Sequence, residues 1–207
     1  MSETPGSAWE QPAAGALVAY APEVGWAALE GGRPAGLPLD LESDPRVVAF
    51  AEQFATDVSV LDDALRAEFF AAAGDAAFSM VQLIWVDDQW PRLRSALNAL
   101  FVAGGWPPAD EHPVPNLWGA IEAFMGEVAK LAGLDPTLTE LVRLRGARQH
   151  DCRLCASRRS MAAIDAGADD AMFEAIDRWP ESDLPAATKA ALGLVDAMIW
   201  TPSAIPA

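Results

Sequence analysis

The chain has 207 residues, 52% of them hydrophobic, and its 30 acidic side chains outnumber 14 basic ones to give a formal net charge of −16. Such a composition builds a packed core rather than a disordered coil. The negative charge repels phosphate backbones and anionic lipid surfaces, so neither nucleic acid nor a membrane is expected as a partner. Two cysteines cannot staple a secreted framework, no uninterrupted apolar run reaches about 18 residues, and "MSETPGSAWEQP" lacks the basic and apolar regions of a signal peptide. The cytoplasm is therefore the expected compartment.

Residues 1–41 are rich in Gly, Pro and Ala, with Trp9, Tyr20 and Trp26 as isolated large residues, and are expected to form an irregular arm held by aromatic anchors. Helical periodicity starts at Asp44, with Val47, Phe50, Ala51, Phe54 and Val58 at spacings of three and four. A second helix is expected after Asp62 and Asp63, stopping at Gly74. A third, capped by Asp75, carries Phe78, Val81, Ile84 and Trp85 until Trp90-Pro91 breaks or kinks it before Leu93 and Leu97. The stretch "GGWPPADEHPVP", residues 104–115, has four prolines and two glycines and reads as a linker between a helical half at 42–103 and another at 116–207. In the second half helices are expected at 116–132, 136–150, 152–166, 169–178 and 184–200. Asp135-Pro136 supplies a cap and a first-turn proline, and Gly167 ends the cysteine helix. β-branched alternation is nearly absent, so the expected class is all-α. Trp85, Trp90, Trp118 and Trp179 are suited either to lining a pocket or, more commonly for large aromatics at helical spacing, to filling the core.

The chemistry concentrates in "QHDCRLCASRR", residues 149–159, which holds both cysteines. Six of the 14 basic residues, Arg143, Arg145, Arg148, Arg153, Arg158 and Arg159, fall within the 17 positions that bracket them. These arginines form either a solvated face paired with acids or an electropositive setting that favours a thiolate. With Asp151 capping a helix that starts at Cys152, Cys152 sits in the first turn, and Cys155 and Arg159 follow on the same face at spacings of three and four. The sulfurs can then close a disulfide. Two other readings stand beside this one: a pair of small buried apolar side chains, or half of a zinc site, which would need His112, His150 or carboxylates to complete four ligands. Glu140 shares a helix face with Leu144 and Ala147, which suits either a semi-buried carboxylate in proton traffic or a first-turn acid facing the helix dipole.

"DPTLTELVRLRGARQHDCRLCASRRSMAAIDAG", followed by "WPESDLPAATKAALGLVDAM", resembles the AhpD-like branch of the alkylhydroperoxidase and carboxymuconolactone decarboxylase superfamily. Glu140, eleven intervening residues, Cys152 and Cys155 fit that family's spacing, and Trp179, Glu181 and Ser182 match a recurrent "W-x-E-S" pattern. The resemblance implies an all-helical fold assembled into trimers or larger rings, with no metal or organic cofactor. It also implies redox cycling in which Cys155 attacks a peroxide, Cys152 resolves it, and a thiol partner returns the electrons. One position departs from the pattern: where the family has a relay histidine, this chain has Arg159, which can hold an anion but not carry a proton. Glu140, His150 or water would then have to supply the proton, His150 also being suited to a helix end. Residues 42–101 resemble the tail that follows the cysteine half in this family, which points to a permuted fold or a degenerate duplication.

Overall fold

The computed structural model describes Leu29 and residues 31–100, 111–129 and 133–202. The expected arm anchors Trp9, Tyr20 and Trp26, residues 101–110 of the linker region and the side chain of Leu97 lie outside the described residues. Among the described residues the architecture is all-α, with two three-residue strands as its only sheet.

Several helices begin at a short acidic side chain or a proline, among them those starting at Pro45, Asp63, Pro136 and Asp170. Helix α1 (Pro45–Asp57) buries Val47 and Phe50. Helix α2 (Asp63–Ala73) starts at Asp62, whose carboxylate accepts the N–H of Leu65 at 2.8 Å, and it stops at Gly74 in a positive-φ conformation. The Phe50 and Phe69 rings stack with centroids 4.1 Å apart, tying α1 to α2. Asp75 lies within a 3-10 turn, Gly74–Ala76, rather than capping the next helix.

Helix α3 (Ala77–Leu100) runs through Pro91 without a break, which removes the first of the two expectations, a break or a kink. Proline removes one backbone bond there. The ion pair of Asp88 with Arg92 at 2.8 Å spans the position, and Arg92 also donates to the carbonyl of Ala55. The face of α3 that enters the core is Met80, Leu83, Ile84 and Val86, while Phe78 is exposed. By length and mean hydropathy the run Asp63–Leu93 would suffice to cross a bilayer. Here it is interrupted by the 3-10 turn Gly74–Ala76 into two helices, with Phe69, Met80, Leu83 and Ile84 buried.

The expected arm and linker both contain strand. β1 (Gly32–Pro34) pairs in parallel with β2 (His112–Val114), in the register Gly32 to His112. A proline is tolerated in each because, among the described residues, neither strand has a second neighbour to which it must donate. Helix α4 (Leu117–Ala129) buries Leu117 and Ile121, one turn apart, with Val86 and Leu29, and Trp85, Val114 and Phe124 pack against that cluster. The described chain accordingly falls into two units, one taking in residues up to 55 and 61–130, the other 56–60 and 131–205. The sequence expectation instead put the boundary at 104–115 and gave α4 to the cysteine half.

The second unit is built on α5 (Pro136–Gln149), capped by Asp135, whose carboxylate accepts the N–H of Leu138 at 3.1 Å. The expected cysteine helix 152–166 is two short pieces, α6 (Arg153–Ser157) and α7 (Met161–Asp165). After α7, Gly167 turns the chain at φ 100°. Helix α8 (Asp170–Ala175) leads into a 3-10 segment, Ile176–Glu181, and then α9 (Ala186–Trp200). Leu141, Leu144, Ala163, Phe173, Ile176 and Leu192 form the core, with Trp179 packed on its edge. Asp196 accepts two bonds from Arg145 and one from the Trp179 indole N–H, at 2.7–2.9 Å, joining α5, α9 and the 3-10 segment.

Candidate functional site

The cysteines follow directly from the way α5 ends. Its last turn closes in a Schellman arrangement: the Asp151 N–H bonds to the Arg148 carbonyl at 3.1 Å and the Cys152 N–H to the Ala147 carbonyl at 2.9 Å. Asp151 occupies the left-handed position at φ 48°, where glycine is usual. Asp151 therefore belongs to the end of α5 and is not the cap of the cysteine helix. Cys152 takes that role itself, its sulfur accepting the N–H of Cys155 at 3.3 Å.

Cys152 and Cys155 are joined as a disulfide with their Cα atoms 5.3 Å apart, within the usual range for such a bridge. Both are half-buried, whereas Leu154 between them is 65% exposed. The bridge thus sits at a surface turn.

The helix breaks at residues 158–160, and the backbone groups released there are taken up by side chains. Arg143 donates to the carbonyls of Cys155 and Arg158, each at 2.7 Å. Arg159 donates to the carbonyls of Ala156 at 2.6 Å and Arg158 at 3.0 Å. The Ser160 N–H reaches a Glu140 carboxylate oxygen at 3.1 Å, and the Ser160 hydroxyl caps α7. A continuous helix would have bonded the Cys155 and Ala156 carbonyls to backbone N–H groups four residues on. In this chain guanidinium groups replace those donors.

Glu140 is only 2% exposed, which removes the reading of a first-turn acid facing solvent. Both its oxygens are engaged by Arg143, at 2.7 and 2.8 Å, in a bidentate pair. Burial alone would push its pKa up. The bonds from Arg143 and the Ser160 N–H outweigh that, with a smaller contribution from the Arg159 charge, and hold the carboxyl below the ordinary range. Glu140 is therefore a fixed carboxylate that positions the loop.

Arg159 is swung over the ring of Phe173, its guanidinium carbon 5.0 Å from the centroid. His150 is exposed at the C-cap of α5, its backbone N–H bonding to the Gly146 carbonyl at 3.0 Å. His112 lies in β2 of the first unit. Among the described residues no group of three or more His, Cys, Asp or Glu side chains is placed to hold a metal ion.

The residue that sequence reasoning passed over is Arg143, read only as one arginine among six. Its spacing of three from Glu140 was the available signal. Its reach of twelve residues to the Cys155 carbonyl depends on the turn between α5 and α6.

The fold and site define an all-α chain carrying a surface Cys-x-x-Cys disulfide on a loop held by a buried glutamate paired with a partly exposed arginine. Two uncharacterized proteins, from two strains of Mycobacterium tuberculosis, are each 40% identical to this chain over 164 residues, covering 76% of this chain and 58% of theirs. The chain thus spans less than two thirds of the length of these curated relatives. No family model and no solved structure matches it.

Proposed function

We propose that the protein is a thiol-dependent oxidoreductase, similar to the AhpD-like alkylhydroperoxidases, in which Cys152 and Cys155 alternate between dithiol and disulfide. The observation that carries this reading is the Cys152–Cys155 bridge on a half-exposed loop whose backbone is held by Arg143, so that both redox forms have a scaffold. In the peroxide half-reaction the Cys155 thiolate attacks one peroxide oxygen, becoming a sulfenic acid while the other oxygen leaves with a proton as alcohol or water. The Cys152 thiol then displaces hydroxide from the sulfenic acid, closing the disulfide and releasing water. Two electrons from a thiol reductant reopen it.

In this scheme the proton for the leaving oxygen comes from solvent: Glu140 is a carboxylate engaged by Arg143 and Ser160, Arg159 cannot release a proton, and His150 is exposed at the end of α5. Cys155→Ser is expected to abolish thiol-dependent peroxide consumption, followed as loss of peroxide with excess thiol. Arg159→His is expected to raise the rate by supplying a group that titrates near neutral pH.

A second reading, a scaffold retained after catalysis has weakened, is favoured by the structural employment of Glu140 and Arg159. Wild-type protein with no peroxide turnover, together with no gain in Arg159→His, would establish it in place of the first.

A further inference from the structure

The six arginines around the cysteines divide in two. The three that precede them are each paired with an acid: Arg143 with Glu140, Arg145 with Asp196 and Arg148 with Asp177, all at 2.6–2.7 Å. The three within or just after the motif, Arg153, Arg158 and Arg159, are exposed, and among the described residues none has a carboxylate within ion-pair distance. Between Asp151 and Ser160 they stand against a single acid, Asp151 itself. Arg153 is next to Cys152 in the chain, and the Arg159 guanidinium is fixed on the Ala156 carbonyl, one residue after Cys155. A protein of net charge −16 thus presents a locally positive rim at its disulfide.

We propose that this rim selects the reductant: the Cys152–Cys155 disulfide exchanges preferentially with small thiols that carry an additional negative charge. The inference rests on the dithiol–disulfide reading and names the class of its electron donor. The incoming thiolate attacks the Cys155 sulfur, and the bond to Cys152 breaks with its electron pair leaving on the Cys152 sulfur. That sulfur already accepts the Cys155 N–H at 3.3 Å, which favours it as the departing thiolate. A second thiolate attacks the mixed disulfide, leaving as the oxidised small-molecule disulfide and freeing Cys155. The protein gains two electrons, the two thiols lose them, and the cysteines take protons from solvent.

The test measures second-order reduction rates of the wild-type disulfide, per thiolate, with mercaptoethanesulfonate, mercaptoethanol and aminoethanethiol at low and high salt. The expected order runs from the sulfonate, fastest, to the aminothiol, slowest. The spread is on the order of tenfold at low ionic strength and collapses as salt screens the rim. Arg153→Gln combined with Arg158→Gln, both at exposed positions, is expected to weaken the preference severalfold while the disulfide remains reducible. An aminothiol that reacts fastest, as the net charge of −16 alone would dictate, or a preference undiminished by the double substitution, would overturn the proposal and leave the redox reading intact. A disulfide that none of the three thiols reduces would overturn both.

Discussion

Glu140 shows how far a single position could be anticipated. Its spacing from the cysteines and its place on a face with Leu144 and Ala147 marked it out, but its partner and therefore its role came only from the turn that brings the Ser160 N–H back to α5. Its folded pKa is lowered, so its stabilising effect is complete above the ordinary glutamate value of about 4.3 and is lost as pH falls through the folded value. Glu140→Gln is expected to cost about 2–3 kcal/mol at neutral pH, because charged hydrogen bonds weaken and the Arg143 charge loses its partner. Urea unfolding of the variant should also show a smaller loss of stability on acidification than wild type. An unchanged acid limb would show that Glu140 is not the group responsible. Asp151 offers the opposite experiment. Its positive φ favours glycine, so Asp151→Gly is expected to stabilise by a few tenths to about 1 kcal/mol, and Asp151→Val to destabilise by about 1 kcal/mol or more. Equal urea midpoints for the two variants would contradict the strain argument.

At the scale of elements, the helices were legible wherever a local signal sufficed. Asp62 and Asp135 cap α2 and α5, and Gly74 and Gly167 turn the chain where expected. What could not be read was anything requiring a distant partner. The break between α6 and α7 exists because Arg143 and Glu140 satisfy backbone groups 12 to 20 residues away. The pairing of β1 with β2 joins Gly32 to His112, and α4 joins the first unit because Leu117 and Ile121 meet Val86 and Leu29. Periodicity is silent on such choices. The Asp196 junction belongs to this scale too. Removing it in Asp196→Ala leaves Arg145, only 12% exposed, and the Trp179 indole without their carboxylate. A loss of about 2–3 kcal/mol is expected by urea denaturation. A loss below about 0.5 kcal/mol would mean that water replaces the junction at little cost.

For the molecule as a whole, 30 acidic side chains against 14 basic ones make self-repulsion a standing cost of compactness. Raising NaCl from about 10 mM to about 150 mM shortens the screening length from about 30 Å to about 8 Å, so Tm is expected to rise. A falling Tm would show that exposed pairs such as Arg148 with Asp177 outweigh the repulsion. In the loop around the cysteines, guanidinium groups grip main-chain carbonyls, so the backbone beside the bridge is held by bonds other than the disulfide. Parting the sulfurs therefore leaves the two thiols as near neighbours, each at a high effective concentration for the other. In the proposed cycle, once peroxide has oxidised Cys155 to a sulfenic acid, displacement of its hydroxide by Cys152 is a first-order ring closure, expected to be faster than cross-linking to another protein and independent of how much protein is present.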